Sequence, residues 1–226
     1  MKKYLLLTLA IFVAITTQAK KEKRTVVEML TSKGKITIAL YNETPLHRDN
    51  FIKLVKEGYY NNLLFHRVIS DFMIQGGDPD SKDAPEDKQL GEGGPGYTIP
   101  AEFRFPTLFH KRGALAAARE GDQTNPQKES SGSQFYIVWG KTFTKEEINE
   151  LTDRIEQRSG GAIRFPDNIK KYYMRYGGTP HLDGSYTVLG EVLKGMEVVN
   201  AIQQADTDSN DRPLEDIKIL SATIKQ

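Results

Sequence analysis

The chain has 226 residues, with 31 Lys and Arg against 30 Asp and Glu for a formal charge of +1, a balance that argues against a basic nucleic-acid binder. The absence of cysteine removes disulfides, thiolate nucleophiles, iron–sulfur clusters and cysteine-built zinc sites, leaving carboxylate, imidazole, hydroxyl or non-covalent chemistry. At 38% hydrophobic and 27% charged, with ten Tyr and ten Phe, the composition suits one folded domain rather than a disordered chain.

Lys2 and Lys3 precede an uncharged apolar run from Tyr4 to Ile15, and Thr17-Gln18-Ala19 offers small side chains at the positions a signal peptidase reads. Residues 1–19 are therefore expected to be a signal peptide, and residues 25–226 the folded domain. The apolar run falls short of the ~20 residues that span a bilayer, so no stable membrane insertion is expected after cleavage. No Cys follows it to carry a lipid. The expected location is outside the cytoplasm, periplasmic or secreted.

Thr25 to Leu30 and Lys35 to Leu40 are β-prone runs separated by Thr31-Ser32-Lys33-Gly34. Ile36, Ile38 and Leu40 alternate with Thr37, Ala39 and Tyr41, which predicts a hairpin with one buried face. Thr44 followed by Pro45 reads as an N-cap with proline at the first helical position, and Phe51, Leu54 and Val55 form an apolar stripe ending at Gly58. A helix is expected there. Short β-prone runs follow at Leu63 to Ile69, Phe72 to Gln75, Gly113 to Ala117, Gln134 to Val138 and Tyr186 to Val192, broken by Gly and Pro turns as in a barrel or sandwich. Met196 to Gln203 reads as a second helix, and Ile217 to Ile224 as a closing strand.

Residues 141–180 break this rhythm. Thr144 and Glu147 form a capping-box pair ahead of Ile148, Leu151 and Ile155, which share one helical face. Asp167 is placed to cap another helix, whose Ile169, Tyr172, Tyr173 and Tyr176 lead to Gly177-Gly178. The segment reads as a helical insertion in a β framework, either docking a partner or, more plainly, covering one end of the barrel.

Several motifs fail on inspection. Gly91-Glu92-Gly93-Gly94-Pro95-Gly96 matches a dinucleotide-binding glycine pattern, but a polar run precedes it and Pro95 removes a donor, so a loop is expected. Asp206, Asp208 and Asn210 imitate the start of a calcium loop, yet Asp211 stands where a glycine is required and Ile217 where a bidentate carboxylate is required. His47, His66, His110 and His181 share no zinc-ligand spacing, and Ser130, Ser131 and Ser133 lack the context of a nucleophile elbow. No metal site is predicted.

Phe65-His66-Arg67-Val68-Ile69, Phe72-Met73-Ile74-Gln75-Gly76-Gly77-Asp78 and Ser131-Gly132-Ser133-Gln134-Phe135-Tyr136-Ile137 resemble the signature blocks of the cyclophilin family of peptidyl-prolyl isomerases. Gly113 to Arg119, Leu182-Asp183-Gly184 and Val188-Leu189-Gly190 continue the match, in order, from about Val26 to Ile224. The resemblance implies a mainly β fold: a closed eight-stranded antiparallel barrel capped by two helices, here carrying the helical insertion. It implies an enzyme that accelerates X-Pro bond rotation during protein folding without cofactor or metal. Its partners would be proline-containing peptides and unfolded or exported proteins, not nucleic acid, and it would act as a monomer.

Within that resemblance, Arg67, Phe72 and Gln75 match catalytic positions, with Arg67 the electrostatic catalyst aimed at the prolyl amide and the proline carbonyl. Met73, Tyr136 and Leu182 match the proline pocket together with Phe72, and Gln134 with Gln75 matches positions that hydrogen-bond the substrate backbone. Ala118 and Arg119 match the segment that pairs with the residue before proline. Four positions depart from the common pattern: His181 where many members carry Trp, Tyr186 where many carry His, Tyr136 for the commoner Phe, and Arg119 where Asn is frequent. His181 and Tyr186 belong to the rim, and their change predicts weakened binding of cyclosporin-type cyclic peptides. A non-catalytic proline-peptide-binding chaperone module, with the insertion recruiting clients, is the alternative function.

Overall fold

The computed structural model describes residues 23–225, so the signal segment expected at 1–19 lies outside the described residues. Strands β1 (Val26–Thr31) and β2 (Gly34–Leu40) form the expected hairpin. Burial of β2 runs unbroken from Ile36 to Leu40 rather than alternating, so both faces of this strand are covered; it lies between β1 and the later strand β10 (Val188–Lys194). Helix α1 (Pro45–Lys56) starts at the predicted proline, although the Thr44 side chain makes no capping bond.

The run expected as one strand over Leu63 to Ile69 is split into β3 (Leu63–Leu64) and β4 (Arg67–Ile69). β5 (Met73–Gly76), β7 (Ala114–Ala117), β9 (Phe135–Val138) and β11 (Lys218–Lys225) complete the large sheet. β6 (Thr98–Ile99) and β8 (Ser130–Ser131) form a separate pair that sequence patterning did not anticipate. The closed eight-stranded barrel is replaced by an open, curled sheet of nine strands in the order β3-β11-β1-β2-β10-β7-β9-β5-β4.

The reason for the open seam lies at Phe65-His66, the two residues joining the edge strands. The Phe65 N–H donates to the Ile217 carbonyl and the Val68 N–H to the Asp211 carbonyl, both at 2.8 Å. The first bond extends the β3–β11 ladder and the second ties β4 to the turn at Asp211, so the two edge strands are held through other segments and not paired with each other.

The described residues form four α-helices, the two expected against the sheet and the two expected within 141–180. α1 and α4 (Met196–Gln203) lay Phe51, Leu54, Val55, Val198, Val199 and Ile202 against the inner face of the sheet. Each such buried side chain contributes roughly 1.5–3 kcal/mol. α2 (Lys145–Arg158) and α3 (Asp167–Tyr176) occupy the stretch 141–180. The Thr144–Glu147 capping box forms in full, whereas Pro166, not Asp167, is the N-cap of α3. Asp167 falls in the first turn, where its charge complements the helix dipole instead. Ile148, Ile169 and Tyr173 bury with Phe165 in a small core of their own. No helix among the described residues is long and apolar enough to cross a membrane.

Strands β5, β7 and β9 are apolar on both faces apart from Gln75. Ile74, Leu115, Ala117, Phe135 and Ile137 join the main core. Met73, Ala114, Ala116, Tyr136 and Val138, the alternate positions, form a second cluster on the opposite face. Period-two alternation thus divides two apolar environments rather than core from water.

His66, at the seam, is 3% exposed, and neither ring nitrogen has a hydrogen-bond partner among the described residues. Desolvation pulls its pKa from 6.5 down to about 4, opposed by Asp78 and reinforced by Arg67 and Arg212. Between those values the unfolded chain binds a proton the folded chain refuses, so stability present above pH 6.5 drains as pH falls towards 4. Urea unfolding of wild type and His66→Gln should show the variant gaining about 2 kcal/mol relative to wild type between neutral pH and pH ~4.5. A constant difference across that range would exclude His66 as the source of acid sensitivity.

Candidate active site

The second face of the sheet carries a row of side chains fixed by strand register. Arg67 on β4 pairs with Gln75 on β5, Gln75 with Tyr136 on β9, and Tyr136 with Ala116 on β7. At ~4.8 Å per strand, Arg67 and Tyr136 stand ~10 Å apart on the same face, with Gln75 between them. Their spacing frames a cleft of about 320 Å³ whose walls also include Phe72, Met73, Ala118, Arg119, Leu182 and Tyr186.

Phe72 and Met73 are neighbours in sequence and would face opposite ways on one strand. Phe72 lies instead in a turn, its N–H donating to the Ile69 carbonyl at 3.1 Å, and Asp71 before it adopts a left-handed φ of 56°. β5 begins only at Met73, so the change of course brings both side chains to the cleft.

Arg67 is anchored by one edge. Its Nε donates to Asp211 Oδ2 at 3.2 Å, and its terminal nitrogens bond no group among the described residues while the side chain lines the cleft. The side chains of this pair are 43% and 40% exposed, so the ion pair adds little stability. It does limit the directions in which the guanidinium can present its remaining donors.

Arg119 is tied more completely. Its Nε donates to the Ser185 carbonyl, its Nη1 reaches the Glu120 carbonyl and Asp122, and the guanidinium lies 4.4 Å from the Tyr186 ring centre. This bond to Arg119 holds the Asp122 carboxyl below its ordinary range. Arg119 and Tyr186 therefore form one stacked wall.

Two predicted residues stand outside the cleft. Gln134 is buried behind it, accepting from Gln75 Nε2 at 2.9 Å and donating through its own Nε2 to the Gly91 and Gly93 carbonyls at 2.8 Å. Its amide is engaged within the protein, orienting Gln75 and pinning the glycine-rich loop. His181 lies on the far side of Phe72, the two rings stacked at 5.5 Å. Desolvation, with the nearby His110 ring, lowers the His181 pKa.

Sequence reasoning missed the loop wall and the support of the cleft floor. Gln89 to Glu92 line the cleft, held where Asp78 accepts from the Gly91 N–H. The glycine run is a loop, as expected, but one that borders the site. Beneath Tyr136, its hydroxyl bonds His110 Nε2 at 3.0 Å. His110 Nδ1 and backbone N–H both donate to Asp183 Oδ1 at 2.8 Å, and Tyr173 of α3 donates to Asp183 Oδ2 at 2.6 Å. With Nδ1–H donated to the carboxylate, Nε2 is left to accept the hydrogen bond of the Tyr136 hydroxyl. Burial raises the Tyr136 hydroxyl well above its ordinary pKa and keeps it neutral. The Leu182-Asp183-Gly184 block was the only sequence signal for this chain of bonds, since four dispersed histidines carry no spacing.

Known proteins resemble this chain in sequence and in fold. Residues 26–224 match the Pro_isomerase family, described as cyclophilin type peptidyl-prolyl cis-trans isomerase/CLD. Relatives named for peptidyl-prolyl cis-trans isomerase activity include one from Staphylococcus saprophyticus, 38% identical over 87% of this chain and 89% of its own. Another, from Staphylococcus haemolyticus, is 36% identical over 88% of this chain and 90% of its own. Among solved structures, a cyclophilin type peptidyl-prolyl cis-trans isomerase of Cryptosporidium parvum superposes with a TM-score of 0.63 at 24% identity, covering 90% of this chain and 99% of that one. The same protein in the presence of the dipeptide Ala-Pro gives 0.61 at 24% identity, covering 89% and 99%.

Tyr136→Phe should leave the cleft's shape intact but strand His110 Nε2, costing about 1–3 kcal/mol in urea unfolding. Tyr173→Phe, which removes the only bond among the described residues to Oδ2 of the buried Asp183 carboxylate, should cost at least as much. Equal stability of Tyr136→Phe and wild type would show that the hydroxyl bond contributes nothing to the fold.

Proposed function

The chain belongs to the cyclophilin-type peptidyl-prolyl cis–trans isomerase family, and we propose that it works by electrostatic stabilisation of a twisted prolyl amide, with Arg67 as the catalytic cation. An X-Pro bond rotates slowly because nitrogen's lone pair is delocalised into the carbonyl, at a barrier of ~18–20 kcal/mol. At the perpendicular geometry that delocalisation is lost, the nitrogen becomes pyramidal, and its lone pair can accept a hydrogen bond. Interactions stronger in that geometry than in the planar one raise the rate.

The observation that carries this reading is the Arg67–Gln75–Tyr136 row over an apolar slot. The slot receives the pyrrolidine ring on Phe72, Met73, Tyr136 and Leu182, with no polar group to desolvate except the satisfied Tyr136 hydroxyl. Arg67 presents N–H donors at the rim to the prolyl nitrogen and carbonyl, and stays charged throughout. Gln75, oriented by Gln134, holds the substrate backbone, while Ala118 and Arg119 border the residue before proline. No bond breaks and no proton is transferred. Lowering the barrier by ~7 kcal/mol corresponds to a rate gain on the order of 10^5.

Export of the protein, to a periplasm or beyond the cell, is the second part of the proposal, supported by Lys2, Lys3 and the apolar run Tyr4 to Ile15. The substrates are then polypeptides folding after translocation. N-terminal sequencing of protein recovered from the extracytoplasmic fraction should begin near residue 20; an intact Met1 there would overturn the signal assignment.

NMR exchange on a short X-Pro peptide tests the chemistry. Arg67→Ala should reduce kcat/KM by about 10²–10³, the scale on which removal of one preorganised donor acts. Because the Arg67–Asp211 pair is half exposed, the same change should move the urea midpoint by less than about 1 kcal/mol. Equal isomerisation by wild type and variant would overturn the role assigned to Arg67, whereas no acceleration by wild type over the uncatalysed exchange would favour the non-catalytic proline-binding module. Tyr186 on the cleft wall, and His181 displaced behind Phe72, lead to a further expectation, weak inhibition by cyclosporin; nanomolar inhibition would count against it.

A further inference from the structure

A second cleft, about 410 Å³ in volume, adjoins the first. That volume is within the ~300–1,000 Å³ typical of sites that accept a small ligand. Phe72 lines both clefts, and its stacked partner His181 faces only the second, so one aromatic pair is the partition between them. The opposite wall comes from the helical insertion.

Helix α2 presents Glu147, Glu150, Leu151 and Arg154 to this cleft, the i, i+3, i+4, i+7 spacing of one helical stripe. Its other side buries Ile148 and Thr152. Leu151 is half-buried and belongs to none of the three apolar clusters, so an aliphatic side chain stands in a charged stripe with no core to join. Phe143 and Phe72 complete the apolar lining. Asp71, Glu147 and Glu150 face Lys141 and Arg154, and Lys141 lies 4.0 Å from Glu147, a near-balanced rim that selects little by charge.

Strand register orients this cleft relative to the proline slot. β5 and β7 run parallel on either side of β9, with Met73 against Val138 at one end and Ala117 against Phe135 at the other. Phe72, which precedes Met73, and Ala118, which follows Ala117, therefore mark opposite ends of the slot. A peptide whose residue before proline lies at Ala118 sends the residues after proline past Phe72. Extended chain advances ~3.3–3.6 Å per residue, so two to four residues carry it over the partition.

We propose that the second cleft is a specificity site, built by the insertion, for an apolar side chain two to four residues after the substrate proline. The inference rests on the isomerase reading for the placement of the proline. It assigns to α2 a part in substrate selection, and it makes the preferred client a proline followed closely by a Leu- or Phe-like residue. Catalysis itself stays with the first cleft.

The test compares three probes by NMR exchange: the tetrapeptide Ala-Ala-Pro-Ala, a longer peptide continuing the same core with Leu at the third position after proline, and its Ser counterpart. Wild type should favour the Leu peptide over the Ser peptide in kcat/KM by about tenfold, the scale of one apolar group entering a pocket. Leu151→Gln, a change outside the packed clusters, should bring that ratio close to one while leaving the tetrapeptide rate unchanged. No preference in wild type, or the same preference in the variant, overturns the proposal. Loss of tetrapeptide turnover in wild type would instead overturn the isomerase reading. Docking is then decided separately by titrating the Leu peptide and following amide shifts of residues 147–154: shifts confined to wild type and lost in Leu151→Gln support the site, and none in wild type refutes it.

Discussion

Strands β5, β7 and β9 must satisfy two apolar environments at once, and the rest of the architecture depends on that demand. One set of alternate residues anchors the main core, including Phe135 and Ile137, and the other set, including Met73 and Tyr136, makes the floor of the cleft. A slot for a pyrrolidine ring has to be apolar yet stay open. Here it stays open because each side chain at its floor is held from behind by a strand whose reverse face is locked in a close-packed core. Ala114 and Ala116 fit the same logic, since small side chains in the strand beside Tyr136 leave room where larger ones would fill the cleft. The open seam fits this too: the sheet curls round its core while β3 is held by β11 and β4 by β5 and the turn at Asp211, with no ladder between the two edges.

Behind the apolar floor lies a polar layer in which the donors and acceptors are largely matched. Gln134 links Gln75 to the loop carbonyls of Gly91 and Gly93, and Asp183 gathers His110 and Tyr173 beneath Tyr136. Buried networks of this kind add stiffness only when every member is satisfied. The second network also reaches α3, so the helical segment 141–180 is bonded to the cleft floor through Tyr173 as well as bordering the outer cleft through α2. A segment that began as a departure from a β rhythm thus touches the site by two separate routes.

The sequence revealed the elements far better than their mutual placement. The proline at the start of α1, the Thr144–Glu147 box and the closing strand were local signals, written within a few residues. Register was not local: nothing in Arg67, Gln75 and Tyr136 taken singly shows that they share one row, and the resemblance to a family supplied what periodicity could not. Gln134 shows the limit of such a transfer. Its position suggested contact with substrate, yet its amide is consumed by Gln75 and two loop carbonyls, a fact that depends on where residues 91–93 cross. His110 illustrates the opposite failure, because a lone histidine carries no spacing and its partner Asp183 is 73 residues away in the chain.

Arg67 then raises a question of free energy. An ion pair whose members are both about two-fifths exposed is worth little to folding, so stability does not account for Asp211 beside the guanidinium. Asp211 is itself held in place: its φ is 64°, its carbonyl accepts from Val68, and the turn containing it is closed by Asp208, whose carboxylate accepts from the N–H groups of Asn210 and Arg212. The residues that mimic a calcium loop thus build a turn, and the turn delivers a carboxylate to one edge of Arg67. A cation that is to stabilise a fleeting geometry must already point at it, since any reorientation during the reaction would consume the energy gained. Orientation of the guanidinium, rather than its attraction to Asp211, is the physical reason for the pair in the mechanism proposed.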